Sequence, residues 1–343
     1  MNGTTVSPMT LILSRNDVAS LATPRDYLAA MESAFLSLAE GTCQSLPVGH
    51  VPTPDGGFHI KSALNKNEPH VVAIKINGNF PMNPSRSGLP TIQGCLMLAS
   101  ASDARLLALM DSIEITARRT AAATALAAKH LAKKSSKALA FVGCGAQARY
   151  HLEAMLALDD FAFTTLRLFD TNADRMAAFA RDGEAAGLSV YPGRSVADAV
   201  RTADVVVMTT TSTDPIIHAH DVQPGTFIAA VGADSPSKSE VSAELMAKAR
   251  VVPDILSQAA EMGDLRRAIA EGLMSPKNIH GELAQIVSGL TPGRQNDEDI
   301  FVFDSTGTAI EDVAAASMLY AIALNRGIGL SVPFNGITGS SDA

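Results

Sequence analysis

The sequence predicts an α/β fold, a doubly wound parallel sheet joined to a smaller, discontinuous α+β domain. Three observations predict it. The middle of the chain alternates short apolar runs with helical patterns, which argues a parallel sheet covered on both faces. One of those runs, ALAFV at 138–142, leads directly into a glycine turn and a helix start. The 343 residues are enough for two domains.

The elements follow in order. Thr23 is a good N-cap, Pro24 suits the first helical position, and Gly41 can end the helix they open. Leu28, Met31, Phe35 and Leu38 recur at helical spacing, so one face of that helix is buried. Ser45 to Pro84 is β-rich. In VVAIKI at 71–76, Val71, Ala73 and Lys75 share one face and Val72, Ile74 and Ile76 the other. The Pro, Asn and Gly content of 79–90 predicts a loop, and a further strand covers Ile92 to Ala99. Residues 113–133 read as a long Ala-rich helix whose small side chains allow close approach to neighbours. Strands are then expected near 138–142, 165–169, 188–191, 204–209 and 226–231, with a last one, IFVF, at 300–303. A helix from about Ala309 to Asn325 is inferred to return to the first domain. The expected division is therefore 1–120 with 310–343 as one domain and 121–309 as the other. The polar tail after Gly336 is expected to be loose.

The glycine turn carries the first chemistry. Gly143, Gly145 and Ala148 have G-x-G-x-x-A spacing between a strand and a helix. Gly143 allows the tight turn, Gly145 lets backbone approach a pyrophosphate, and Ala148 lets helix and strand pack closely. Ala146 and Gln147 offer main chain to the phosphates at the helix N-terminus. Asp170 ends the next strand, LRLFD, roughly 20 residues on, where an acid accepts hydrogen bonds from an adenosine ribose. The reading is a Rossmann-type NAD-binding domain. A carboxylate at Asp170 repels a 2′-phosphate, so NAD (NADH) is favoured over NADP, although Arg175 nearby softens the preference. Thr210 and Thr211, after the fourth strand, fall at the ligand edge.

Composition excludes several classes. Apolar residues make up 47% and charged residues 18%, an ordinary globular balance. The formal charge of −8 and the absence of basic runs argue against a nucleic-acid partner. Cys43, Cys95 and Cys144 lack metal-ligand spacing, so no metal is expected and reduced thiols are the simplest reading. No apolar stretch reaches a membrane span, and Met1 to Val18 lacks the pattern of a signal peptide, so a cytoplasmic protein is expected.

Five blocks in order, KINGNFPMNPSRSGLPT at 75–91, ITARRTAAATALAAKHLA at 115–132, FVGCGAQARYHLEA at 141–154, AVGADSPSKSE at 230–240 and FDSTGTAIEDVAAA at 303–316, carry a family likeness. The chain resembles the ornithine cyclodeaminase/mu-crystallin family over nearly its whole length, looking closest to the archaeal-type alanine dehydrogenase branch. The resemblance implies a homodimer built through the β-rich domain, which also carries the substrate groups. It marks Lys75 as the active-site lysine and Arg119 as the grip on a substrate α-carboxylate, beside the cofactor. It marks Asp234 as a proton-transfer or iminium-stabilising acid, the alternative being a cap for a helix near Ser239. Thr91, Val231, Lys238 and Ser305 are placed near the cofactor by the same likeness; for Lys238 and Ser305 a surface lysine and a helix cap are the alternatives. Arg118 points about 100° from Arg119 on a helix and reads as a surface residue.

Two departures bear on substrate. Many members carry Pro-x-Arg, whose arginine also binds carboxylate, but here the region reads Leu46-Pro47-Val48-Gly49-His50. Diamino-acid cyclodeaminases carry an acid shortly before the strand lysine, but Gly57 to Ala63 contains none. Lys61 is a candidate replacement for the missing arginine or else a solvated lysine, and His59 shares its strand face. The expected function is an NAD-dependent oxidoreductase on a small amino acid or imino acid, with hydride transfer at a C=N carbon. The alternatives are an ornithine cyclodeaminase-type cyclisation with bound NAD and a non-catalytic, mu-crystallin-like ligand-binding protein.

Overall fold

The computed structural model describes residues 9–334, and the tail after Gly336 lies outside them. The chain divides into two compact units, Met1–Arg119 with Thr308–Ala343, and Thr120–Gly307.

The first unit is built on an eight-stranded sheet. Its strands are β1 (Thr10–Leu13), β2 (Cys43–Ser45), β3 (Gly49–Thr53), β4 (Gly56–Asn65), β5 (Val71–Asn79), β6 (Ile92–Ser100) and β7 (Leu106–Asp111). The eighth strand, β15 (Leu330–Val332), comes from the far end of the chain. The order is β15-β1-β7-β6-β5-β4-β2, with β3 also on β4. Only β1 and β7 run parallel. The helices Pro24–Ala39 and Ala309–Arg326 pack together, and the second lies on β4 and β5. Thr23 caps the first helix as expected, its hydroxyl accepting from Asp26 N while Asp26 accepts from Thr23 N. Its buried residues are Tyr27, Met31, Ala34 and Phe35, with Leu28 and Leu38 only half-buried at the margins. The apolar stripe is thus centred on Tyr27, which the sequence reading had not counted. The loop over 79–90 contains one short helix, Asn83–Ser87, ended by Gly88 at φ +69°. The short helix Arg15–Leu21, with its Ser14–Asp17 capping box, was not expected.

The second unit holds seven parallel strands. They are β8 (Ala138–Val142), β9 (Thr165–Phe169), β10 (Ser189–Pro192), β11 (Val205–Met208), β12 (Phe227–Ala230), β13 (Arg250–Pro253) and β14 (Phe301–Asp304). The order β10-β9-β8-β11-β12-β14-β13 is that of a doubly wound, Rossmann-type sheet. All four residues of β11 and of β12 are buried, as strands covered on both faces must be. The chain winds one way from β8 to β10 and the other way from β11. The carboxyl ends of β8 and β11 therefore flank the switch point where such sheets bind ligands. The sequence reading missed β13, whose RVVP run opens on an arginine and ends on a proline and so does not stand out as an apolar run. Among the described residues, no helix is long and apolar enough to cross a membrane.

Candidate active site

The first unit gathers its ionisable groups around Lys75. The alternation of β5 puts Lys75 on the same face as Val71 and Ala73, and that face is buried, leaving Lys75 3% exposed. A lysine there must have partners. Its ammonium donates to Asp312 Oδ1 at 2.8 Å and to the Thr116 hydroxyl at 3.3 Å, and lies 2.7 Å from Asp312 Oδ2 as an ion pair. Arg119 lies one helical turn beyond Thr116. Its Nε donates to Asp312 Oδ1 at 3.1 Å, and its terminal nitrogen donates to Glu311 at 2.8 Å. Glu311 also accepts from Thr308 N at 3.0 Å, so it steadies the start of the helix Ala309–Arg326 while holding the arginine. Both acids sit in that helix's first turn, where the helix dipole favours negative charge.

Lys61 is the direct register partner of Lys75 across the β4/β5 ladder, and His59 pairs with Asn77 two residues away. The His59 ring is 4.8 Å from that of His50, its partner on β3. Burial pulls the Lys75 ammonium down to about 7; Asp312 opposes the fall, while Arg119 and Lys61 add to it. Burial alone would raise the Asp312 carboxyl, but Lys75 and Arg119 outweigh it and hold it below the usual range. The result is a lysine able to give or take a proton near neutrality beside a carboxylate that stays ionised.

Arg118 is not the surface residue expected. Its side chain is 17% exposed and paired with Glu114 at 2.7 Å. Thr91 is half-buried in the segment before β6, and its carbonyl accepts from Phe80 N.

In the second unit, Gly143 has φ +89°, and a Cβ there would meet Thr209 O at 2.9 Å, so the turn requires glycine. A Cβ on Gly145 would meet nothing within 4 Å, which leaves room for a phosphate group against its backbone. Ala148 is fully buried, and Gln147 Oε1 is a buried acceptor with no protein donor. Asp170 draws the turn toward β9, accepting from Cys144 N and from Asn172 N, each at 2.7 Å. These features fit a dinucleotide.

Across the switch point, Thr209 donates to Gly143 O, while Thr210 N and Gly232 N each donate to the buried carboxylate of Glu240 at 2.7 Å. Ala146 and Thr211 are exposed, and Val231 is half-buried beside this edge. Ser305 is buried, its N–H donating to Ala230 O. Asp234 caps no helix, because the next one begins only at Ala243 with Ser242 as its cap. It is an exposed acid paired with Lys238 at 2.7 Å, so neither residue is isolated at the surface.

The ornithine cyclodeaminase/mu-crystallin family model matches residues 9–327. The chain belongs to that family. Over 327 residues it is 35% identical to the alanine dehydrogenase of Archaeoglobus fulgidus, covering 95% of this chain and 98% of that one. An archaeal alanine dehydrogenase dimer with bound NAD superposes with a TM-score of 0.91 at 35% identity, covering 95% of this chain and 100% of that one. The Δ1-pyrroline-2-carboxylate reductase of Thermococcus litoralis, in complex with NADH and L-proline, superposes with a TM-score of 0.89 at 29% identity, covering 94% and 100%. Within the family frame, the residues that the sequence reading did not assign are Glu311, Asp312 and Glu240. The first two stood in plain view in the AIEDVAAA block, but two acids opening a helix read first as helix-start charges.

Proposed function

We propose that the protein is an NAD-dependent oxidoreductase acting on a small amino acid or imino acid at its C=N carbon. The carrying observation is the buried cluster of Lys75, Asp312 and Arg119, whose lysine titrates near neutrality. Bound NAD(H) supplies or accepts the hydride. The chain's own residues do the rest. Arg119, with Lys61 on the neighbouring strand, holds the substrate carboxylate. Lys75 gives a proton to the substrate nitrogen in the reductive direction and removes it in the oxidative one, while Asp312 fixes the position of its ammonium. Asp234 is the candidate second proton-transfer group. Gly143, Gly145, Ala146 and Gln147 cradle the pyrophosphate, and Asp170 receives the ribose. Asp170 also underlies the preference for NAD over NADP.

A homodimer through the first unit is part of this reading. On the outer face of the sheet, register aligns Ile12, Leu109, Met97 and Ile74 in one apolar row. Ile12 and Leu109 in that row are 37% and 36% exposed, and Ile76 beside them is 39% exposed. A second copy covers such a face. Buried or half-buried free thiols at Cys43, Cys95 and Cys144 suit a cytoplasmic location.

A screen of amino acids, keto acids with ammonia, and cyclic imines, following NADH absorbance and ammonia together, tests the reading. Net NADH turnover supports it. Ammonia release without net NADH change would make the protein a cyclodeaminase, and no turnover at all with tight ligand binding would make it a binding protein.

A further inference from the structure

Glu240 is fully buried, ionisable and unused by the chemistry above. Its two oxygens go to two different loops. Oε1 accepts from Thr210 N, just beyond β11, and Oε2 from Gly232 N, just beyond β12, each at 2.7 Å. The fit is close. A Cβ on Gly232 would lie 2.5 Å from Glu240 Oε1 and 2.3 Å from Thr210 O, so only glycine lets the carboxylate sit between the loops. Glu240 is itself held by a second acid. Asp264 Oδ1 accepts from Ser239 Oγ, Glu240 N and Val241 N at 2.8, 2.8 and 3.1 Å. Asp264 opens the helix Asp264–Ala270, and Asp304, the last residue of β14, accepts from the N–H groups of Asp264 and Leu265. Three buried carboxylates thus link the carboxyl ends of β11, β12 and β14.

We propose that Glu240 is a positioning residue for the nicotinamide cofactor: its carboxylate ties together the two loops carrying Thr210, Thr211, Val231 and Asp234, and NAD(H) binds well only while both ties hold. This rests on the dinucleotide reading of the same edge. The ionisable group acting directly on Glu240 is Asp264; Arg266 acts on Asp264, Asp264 and Asp254 act on Asp304, and Asp234 with Lys238 lies on Glu240's own loop. Burial first, and then the negative charge of Asp264, push the Glu240 carboxyl up to about 7 against the pull of its two N–H donors. A protonated carboxyl presents an O–H where one loop presents an N–H, so one tie is lost. Cofactor affinity is therefore full above pH 7 and falls as pH drops through 7.

Fluorescence titration of NADH with the full chain, without substrate, over pH 6–8.5 is the test. For the wild type, Kd is expected to rise roughly tenfold between pH 8 and 6, the effect of one linked proton. Glu240→Gln puts an amide N–H against a backbone N–H. It should raise Kd about tenfold or more at pH 8, the scale of one lost charge-assisted hydrogen bond, and flatten the pH dependence. In turnover the variant should raise KM for NADH by more than it lowers kcat, the smaller kcat effect coming from the loop that carries Asp234. Wild-type affinity in Glu240→Gln, or an unchanged pH dependence, overturns the proposal. If that variant does not fold, Glu240→Asp and the wild-type pH profile decide: a wild-type Kd flat across pH 7 overturns it equally. A wild type that binds no NADH at any pH overturns the dinucleotide reading itself.

Discussion

Asp312 holds the Lys75 ammonium through both carboxylate oxygens, at 2.8 and 2.7 Å, across 237 positions of sequence. The pair is buried, and its Asp312 Oδ1 also accepts from Arg119 Nε. This one carboxylate sets the charge state of a lysine that burial would otherwise empty of its proton.

The first prediction concerns pH. Lys75 titrates near 7, well below its ordinary 10.5. As an acid, it works below that value and fails above it; as a base, the reverse. The reductive kcat/KM should fall as pH rises through about 7, and the oxidative kcat/KM should rise through the same window. Rate profiles in both directions check this, and limbs of the same sign in both would sink the lysine's assigned role. Lys75→Ala should lower kcat by roughly 10² or more and leave NADH binding intact, as should Asp234→Asn.

Asp312→Asn should do two things. It removes the charge that raises the Lys75 pKa, so the limb near 7 should move to lower pH. It also leaves the buried Arg119 with one carboxylate, Glu311, and Lys75 with none, which should cost about 3–5 kcal/mol of stability. Denaturant melts and rate profiles read the two effects separately; an unmoved limb would show that the pair does not control proton transfer.

Asp170→Ser should narrow or invert the preference for NAD over NADP, because the repulsion of a 2′-phosphate goes and Arg175 remains nearby. The carboxylate also accepts from Cys144 N, so some loss of NAD affinity is expected as well. Paired titrations of NADH and NADPH check it. Equal or tighter NADPH binding by the wild type would contradict the premise.

L-Ornithine should give little or no proline. A cyclodeaminase must hold a distal ammonium, and here Lys61 stands across the ladder from Lys75 with no acid on Gly57 to Ala63. Bringing a second ammonium against Lys61 and Lys75 in a partly desolvated site costs several kcal/mol. Activity should appear with a small neutral amino acid and its keto acid, a cyclic ketimine carboxylate, or a substrate with a second carboxylate. Incubation with ornithine and NAD, assayed for proline and ammonia, is direct. Efficient conversion would mean that another acid reaches the amine, with Asp55 now paired to Arg86 and Glu68 beside His70 the nearest candidates by sequence.

Much of the fold could be read from local pattern. Glycine spacing, six parallel-strand runs and the Thr23 cap are short-range signals, and each appears where its chemistry demands it. The face carrying Lys75 was also visible, since alternation fixes it. What alternation cannot say is which face is covered. Lys75 became a buried residue only because a helix from the other end of the chain lies on β4 and β5. Asp312, Glu311 and Glu240 were hidden for the same reason: an acid's partner is set by tertiary contact, and in sequence it looks like any helix start or loop charge. Likewise β13 is RVVP, a run bounded by an arginine and a proline, and it lacks the apolar signal of the equally short β11, β12 and β14.

Glu311 is bonded both to Thr308 N at the start of its helix and to Arg119. That double duty has a temporal side. A ribosome delivers Lys75 and Arg119 long before it delivers either acid paired with them. Until the segment after Thr308 emerges, the first unit lacks a helix, the strand β15 and both countercharges at once. Its first 119 residues cannot bury those cations, whereas Thr120–Gly307 is contiguous and has all of its own strands by then. Synthesis therefore supplies every strand of Thr120–Gly307 before the first unit is complete, and chains cut short near the end would keep the former while never acquiring the buried Lys75–Asp312–Arg119 cluster.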